Sequence, residues 1–403
     1  MRLYTDFENI KQECIRCVKA YEDFDMKITK IRASHLEVPL LHPYHLSKEY
    51  GIFRTATPVL IEMETDEGLT GYGECDPWPL FTGDSAESVM AVITGHLAPM
   101  LLGADPENIN EIYRLMDASI RGQYLAKSSL DMASYDLFGK KYGLPVHKLL
   151  GGKRRNTMRC MWSIGGSTPE ESAADVLEAK KQGYFGCMIK VGGPDWRLDA
   201  ERTIAVREAV GKSFPLVADA NQGWDLRTAH QYALAVKDCD LVFFEQPLQS
   251  WDAEGMAQLR RMIPMPLSAD EGVMTLVDAR RLIALSAVDV FSIKVTKNGG
   301  IRDAKAICDY AAANGVRTFF NSMIEEGITQ AASLSVAAVA ANPVEEIGHA
   351  FFSPLRLDGD ISDYYQRIRV ADGCVDISDM PGLGISLDRD AVRKYLIREE
   401  VIS

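Results

Sequence analysis

Cys187-Met-Ile-Lys190, Leu216-Val-Ala-Asp219, Leu241-Val-Phe-Phe-Glu245, Leu267-Ser-Ala-Asp270 and Val290-Phe-Ser-Ile-Lys294 are five short apolar runs, each ending on a charged residue. Successive charged ends lie 29, 26, 25 and 24 residues apart. A buried strand and its return helix need about that length, because a parallel crossover takes about a dozen residues or more. Strands covered by helices on both faces read as continuous apolar runs, and these do. The stretch therefore predicts repeated β-α units with charge delivered to the same end of each strand. In a closed barrel of such units the active site lies at the carboxyl ends, where successive strands point side chains into one mouth.

Three carboxylates brought to one mouth, Asp219, Glu245 and Asp270, repel one another unless a cation sits among them. An all-oxygen donor set suits a hard divalent ion, Mg²⁺, one per subunit. Taken singly, each acid reads equally well as a helix N-cap at a strand-helix turn. Lys190 and Lys294 end the first and last of the five runs and flank the three acids. A proton α to a carboxylate is very weakly acidic, and its removal leaves a high-energy enediolate whose charge a divalent ion stabilises. The base must then be a lysine held neutral near pH 7, which burial and a nearby cation both favour. A lysine on each face permits removal from one side and return from the other, giving racemisation or epimerisation. It also permits abstraction by one and elimination assisted by the other.

Lys190, Asp219-Ala-Asn221, Glu245-Gln-Pro247, Asp270-Glu271 and Lys294-x-x-Lys297-x-Gly-Gly300 together resemble the enolase superfamily, and within it the muconate lactonizing enzyme subgroup. The resemblance runs from about Met26 to the end. It implies an α/β fold, a TIM-like (β/α)7β barrel with an α+β capping domain built from the N-terminal region and the C-terminal tail. It implies Lys190 and Lys294 as catalytic residues, Asp219, Glu245 and Asp270 as metal ligands, and Asn221 and Glu271 as groups that hold ligands or lysines in place. Glu325 aligns with an acid that the subgroup carries after its seventh strand; it also reads as a charge favoured by a helix N-terminus. Lys297 reads equally as a solvated loop lysine. A small-molecule carboxylate substrate and a homo-oligomer are further implications. The subgroup's usual Lys-x-Lys after strand two is Met188-Ile-Lys190 here. A branch that acts on proline-like amino acids, with hydroxyproline-betaine epimerases and cis-3-hydroxyproline dehydratases, also tends to lack that first lysine. His42-Pro-Tyr44 and Asp76-Pro-Trp78 resemble loops of that branch, which makes His42, Tyr44, Trp78 and Glu325 the candidate substrate contacts. The implied reaction is racemisation or epimerisation of an amino-acid-like substrate. Dehydration of a β-hydroxy acid, muconate-type cycloisomerisation and a non-catalytic binding relative are the alternatives.

The remaining sequence is consistent with this plan. At 403 residues the chain has room for a second domain beside a barrel, which takes about 250. Expected segments are a helical extension over 1–25, a cap over 26–153, a barrel over 154–355 and a return to the cap over 356–403. Within the cap, Thr57–Thr65 and Leu69–Glu74 read as a hairpin closed by Asp66-Glu-Gly68, followed by helices from Ser85 to Leu102, Pro106 to Ile120 and Leu125 to about Tyr142. The last barrel strand is expected within 345–352. A net charge of −13, with no basic run, makes nucleic acid and anionic membranes poor partners. No stretch reaches the ~20 apolar residues of a membrane span. Eight scattered cysteines suit a reducing cytoplasm, and the one close pair, Cys14 and Cys17, lacks the second pair a zinc site needs.

Overall fold

A computed structural model of the protein describes residues 26–165, 168–350, 356–364 and 373–403. The expected helix over 1–25, with Cys14 and Cys17, lies outside them. Five strands come first: β1 (Ile28–Leu36), β2 (Val38–His45), β3 (Ile52–Ala56), β4 (Val59–Thr65) and β5 (Thr70–Cys75). The β4–β5 hairpin turns at Gly68, whose φ of 77° is open to glycine at little cost. Its register pairs Ile61 with Gly73 and Met63 with Gly71. β1 pairs with β4, and on its other edge with the C-terminal strand β15 (Leu396–Ile402), both antiparallel. The tail thus returns to the first sheet, whose order is β15-β1-β4-β5. β2 and β3 form a separate hairpin.

The helix Tyr124–Tyr142 lies against this sheet and is buried on every side, from Leu125 to Gly139. Gly71 and Gly73 make the contact possible, since a Cβ on Gly73 would stand 1.8 Å from the Ser129 carbonyl oxygen. Asp131 accepts from the Ile301 amide at 2.5 Å, while Asp136 accepts from Tyr72 at 2.9 Å and Leu383 at 2.8 Å. One helix therefore ties sheet, second domain and tail together. The expected helix from Ser85 to Leu102 is instead an α-turn segment Ala86–Val92, a wide π turn Ile93–Leu97 and a last turn Ala98–Leu101. Pro99 explains the break: it has no N–H for the carbonyl four residues back, and its ring crowds that carbonyl.

The second domain opens with β6 (Thr157–Arg159) and β7 (Met161–Ile164), and continues through β8 (Gly186–Lys190), β9 (Leu216–Asp219), β10 (Phe244–Glu245), β11 (Leu267–Ala269), β12 (Val290–Ile293) and β13 (Arg317–Phe320). β7 to β13 are neighbours in chain order in one curled parallel sheet of seven strands, with helices between them. β6 pairs with β14 (Cys374–Asp376). The expected eighth strand is not found, and a complete eight-strand barrel is not formed by the described residues. In its place both edges of the sheet reach a single residue: His349 makes parallel bridges to Cys160 and to Phe320. Its amide donates to the Arg159 carbonyl at 2.7 Å and its carbonyl accepts from Met161 at 3.1 Å. Gly348, at φ 83°, is outside the strand region of backbone conformation, and a Cβ there would sit 2.2 Å from the Arg159 carbonyl oxygen. No helix among the described residues is long and apolar enough to cross a membrane.

His349 is fully buried, and its Nε2 lies 2.8 Å from Ser333 Oγ. Burial pushes its pKa down to about 3, against about 6.5 in the unfolded chain. The unfolded state binds the extra proton between these values. The stability contributed by the neutral imidazole is complete above about pH 6.5 and is lost as pH falls toward about 3, at up to about 1.4 kcal/mol per pH unit. Unfolding free energy followed across this window should fall more steeply for the native chain than for His349→Gln. Equal slopes would refute the assignment.

Candidate active site

The sheet register sets the site. Lys190 pairs with Asp219 across β8 and β9, and Asp219 with Glu245 across β9 and β10, so the three stand in one row. Glu245 in turn pairs with Ser268 of β11, and Asp270 follows two residues later on the same face of the strand. Lys294 directly follows β12. The three acids are fully buried and the two lysines nearly so. None of these acids caps a helix. The helices after β9, β10 and β11 are capped by Asp225, Asp252 and Thr275, whose side chains accept from the first-turn amides. The ordinary reading of Asp219, Glu245 and Asp270 as N-caps is thereby removed.

Two ion pairs dominate the geometry. Lys190 Nζ lies 2.5 Å from Asp219 Oδ2, and Lys294 Nζ lies 2.6 Å from Asp270 Oδ2. Glu245 Oε1 accepts from Asn321 Nδ2 at 2.8 Å and Ser292 Oγ at 3.2 Å, while its Oε2 is buried without a hydrogen-bond partner. Burial, then the charges of Asp219 and Asp270, push the Glu245 carboxyl well above its usual range. Burial pulls each lysine down, but Asp219 lifts Lys190, and Asp270 with Glu271 lifts Lys294, to a net rise for both. In this arrangement each ammonium is a counter-charge to a buried carboxylate, and that attraction outweighs burial.

The donor set suits a hard divalent cation: three oxyanions on neighbouring strand ends and one buried carboxylate oxygen with no partner. As placed, no three carboxylate, histidine or cysteine groups among the described residues converge closely enough to cage a metal ion. Asp219 and Asp270 are engaged by lysines instead. The supporting groups are tightly built. Asn221, Gln222 and Gln246 have φ of 39°, 63° and 30°, a conformation costly for residues other than glycine, directly after the acids of β9 and β10. Asn221 donates its amide to Asp219 Oδ1 at 2.9 Å and its side chain to Glu271 Oε1 at 3.3 Å. The Gln246 carboxamide oxygen accepts from the Asp270 and Gly272 amides at 2.9 and 3.0 Å.

Lys190 and Lys294 line one narrow cavity with Asn221 and Asn321. Tyr44 and Leu46 from the β2–β3 hairpin, and Trp78 and Phe81 from the loop after β5, close it from the cap side. Tyr44 Oη lies 2.5 Å from Ser163 Oγ, and the Lys294 ammonium stands 4.0 Å from the centre of the Phe81 ring.

Residues 28–151 match the family model of the mandelate racemase / muconate lactonizing enzyme N-terminal domain, and residues 171–391 match the enolase C-terminal domain-like model. The chain belongs to the enolase superfamily. It is 32% identical to muconate cycloisomerase 1 of Rhodococcus opacus, over 92% of this chain and 99% of that one. Against the cis-3-hydroxy-L-proline dehydratase of Roseibium aggregatum it is 34% identical, over 90% and 96%. The structure of a dipeptide epimerase from Cytophaga hutchinsonii, complexed with Mg and the dipeptide D-Ala-L-Val, superposes with a TM-score of 0.87 at 29% identity, covering 94% of this chain and 100% of that one. Epimerases, cycloisomerases and a dehydratase among its relatives make this chain an enzyme of the enolase superfamily.

Within this superfamily enzyme, the residues singled out from sequence fall in different places. Tyr44 and Trp78 line the cavity, and His42 does not: the β2–β3 register slips between Pro39 and Tyr44, and residues 41–43 are exposed. Glu325 sits behind the cavity wall, bonded to Ser322 Oγ and to Gln330 Nε2. Met188 is buried in β8 opposite Ser163, on the same strand face as Lys190. Ser292 and Asn321 were not singled out, though Ser292 shares the face of Lys294 by simple alternation. Lys297 is no solvated loop lysine. It is fully buried, 2.9 Å from Asp270 Oδ1, and donates to the carbonyls of Asp270 at 2.5 Å and Ser292 at 2.9 Å.

Without Lys297, Asp270 keeps only Lys294, and the buried carbonyls of Asp270 and Ser292 lose their donor, at about 1–3 kcal/mol for each group left unsatisfied. Lys297→Met should therefore lower the unfolding free energy by about 3 kcal/mol in denaturant titration. A loss below about 1 kcal/mol, the worth of a surface pair, would return Lys297 to the role of a loop lysine.

Proposed function

We propose that this enzyme removes and returns the proton α to a carboxylate, with Lys190 and Lys294 acting from opposite faces of an amino-acid-like substrate, as a racemase or epimerase. The observation that carries the reading is a pair of buried ammonium groups lining one cavity, each paired with a different strand-end carboxylate. Asp219, Glu245 and Asp270 would hold Mg²⁺, and a relative of known structure is a dipeptide epimerase complexed with Mg. When bound, the ion would compete with the ammonium groups for these carboxylates and supply positive charge against the substrate carboxylate.

The chain's own residues supply the rest. One neutral lysine takes the α-proton while the opposite ammonium donates one to the other face, which inverts the centre. Asn221, Asn321 and Glu271 keep the carboxylates and lysines in place. Tyr44, Trp78 and Phe81 exclude water and shape the space beyond the α-carbon. A second reading is dehydration of a β-hydroxy acid such as a 3-hydroxyproline. It draws on the similarity to the cis-3-hydroxy-L-proline dehydratase and on Met188 in place of a subgroup lysine.

Incubating N-modified and cyclic amino acids with enzyme and Mg²⁺ in D₂O separates these readings. Epimerisation places deuterium at the α-carbon with inversion, whereas dehydration shows as loss of water. Lys190→Ala and Lys294→Ala should each reduce turnover by about 10²-fold or more, and each should abolish α-exchange from one enantiomer preferentially. Full activity after chelation, or in either lysine variant, would end the proposal.

A further inference from the structure

Tyr50 sits where three parts of the molecule meet. It follows the cavity-lining end of the β2–β3 hairpin, and its residue is 6% exposed. Its ring packs on the other cap loop, with centroids 4.8 Å from Trp78 and 5.8 Å from Phe81. Trp78 and Phe81 are themselves stacked, and Trp78 also touches Phe53 at 5.0 Å. The Tyr50 hydroxyl points the other way, into the second domain. It donates to Glu271 Oε1 at 2.8 Å and accepts from Gln222 Nε2 at 2.7 Å. Gln222 is held by its own contacts, its Oε1 accepting from the Ser250 amide at 2.7 Å. Around Tyr50 the hairpin end has two further ties to the barrel, Lys48 N to the Gly192 carbonyl at 3.2 Å and Ser47 Oγ to the Asn221 carbonyl at 3.0 Å. The loop after β5 reaches Glu271 and Gln222 through the Tyr50 ring.

We propose that Tyr50 is a positioning residue that joins the two loops over the cavity into one lid and latches that lid to the ends of β9 and β11 through Gln222 and Glu271. Ring and hydroxyl divide the work. The ring couples loop to loop, and the hydroxyl couples both to the barrel. Neither role depends on which carboxylate is turned over, so the inference stands apart from the reaction proposed above.

Hydrogen exchange of the full-length protein tests it. In Tyr50→Phe the ring contacts persist and the hydroxyl bonds to Glu271 and Gln222 are lost. Amides in 46–56 and in 76–84 should both exchange about tenfold faster or more, by a common factor, while those of Val290–Ile293 keep their protection and report an intact barrel. Gln222→Ala should move the same two segments together. In Tyr50→Ala the common factor should disappear, because the ring that joins the loops is gone. Acceleration confined to 46–56 in Tyr50→Phe, or no acceleration in either segment, would overturn the proposal.

Discussion

Three carboxylates are buried on adjacent strand ends with two lysine ammonium groups set against them, and the surrounding structure is arranged to keep that charge balance. Two unit charges about 4 Å apart interact by about 4 kcal/mol at the effective dielectric of a partly buried site. Asp219 and Asp270 repel charge on Glu245, and that repulsion has to be offset. Lys190 and Lys294 oppose it from the cavity side and Lys297 from behind Asp270. The left-handed turns at Asn221, Gln222 and Gln246 then make sense as strain held by hydrogen bonds: the Asn221 amide donates to Asp219, Gln246 accepts from the Asp270 amide, and Gln222 is held by Tyr50 and Ser250.

The first sheet is tied to the second domain beside that cluster. The helix Tyr124–Tyr142 is packed against β5 through Gly71 and Gly73, and Asp131 on the same helix caps the turn that follows Lys294-x-x-Lys297. The cap loops therefore hang from a framework that is already referenced to the lysine-bearing strand. Tyr44, Trp78 and Phe81 can close the cavity without a large cap-to-barrel motion.

Much of this was legible in the sequence, and for a definite reason. A strand that ends on a charge every 24 to 29 residues repeats one structural unit, so the row of Lys190, Asp219 and Glu245 follows from spacing alone. Features that depend on a neighbour's register were hidden. Lys297 lies three residues past a strand end, and only the path of the following turn folds it under Asp270. The outward placement of His42 was hidden too, since the β2–β3 register slips between Pro39 and Tyr44 and residues 41–43 are exposed, which alternation does not foretell. The eighth strand was expected within 345–352, whereas among the described residues of that stretch His349 bridges the two sheet edges. The lysines were expected to be lowered by burial together with a bound divalent cation. Burial does pull that way, and the adjoining carboxylates outweigh it.

The strand β15 pairs with β1 along Ile31 to Leu36, yet more than 350 residues separate them in the chain. Translation proceeds from the amino end, so the first sheet emerges from the ribosome with one side of β1 unpaired and stays so while the whole second domain is made. An open edge of that kind invites pairing with a foreign strand. The first sheet is therefore completed only once β15 has been made, and until then one edge of β1 stays open.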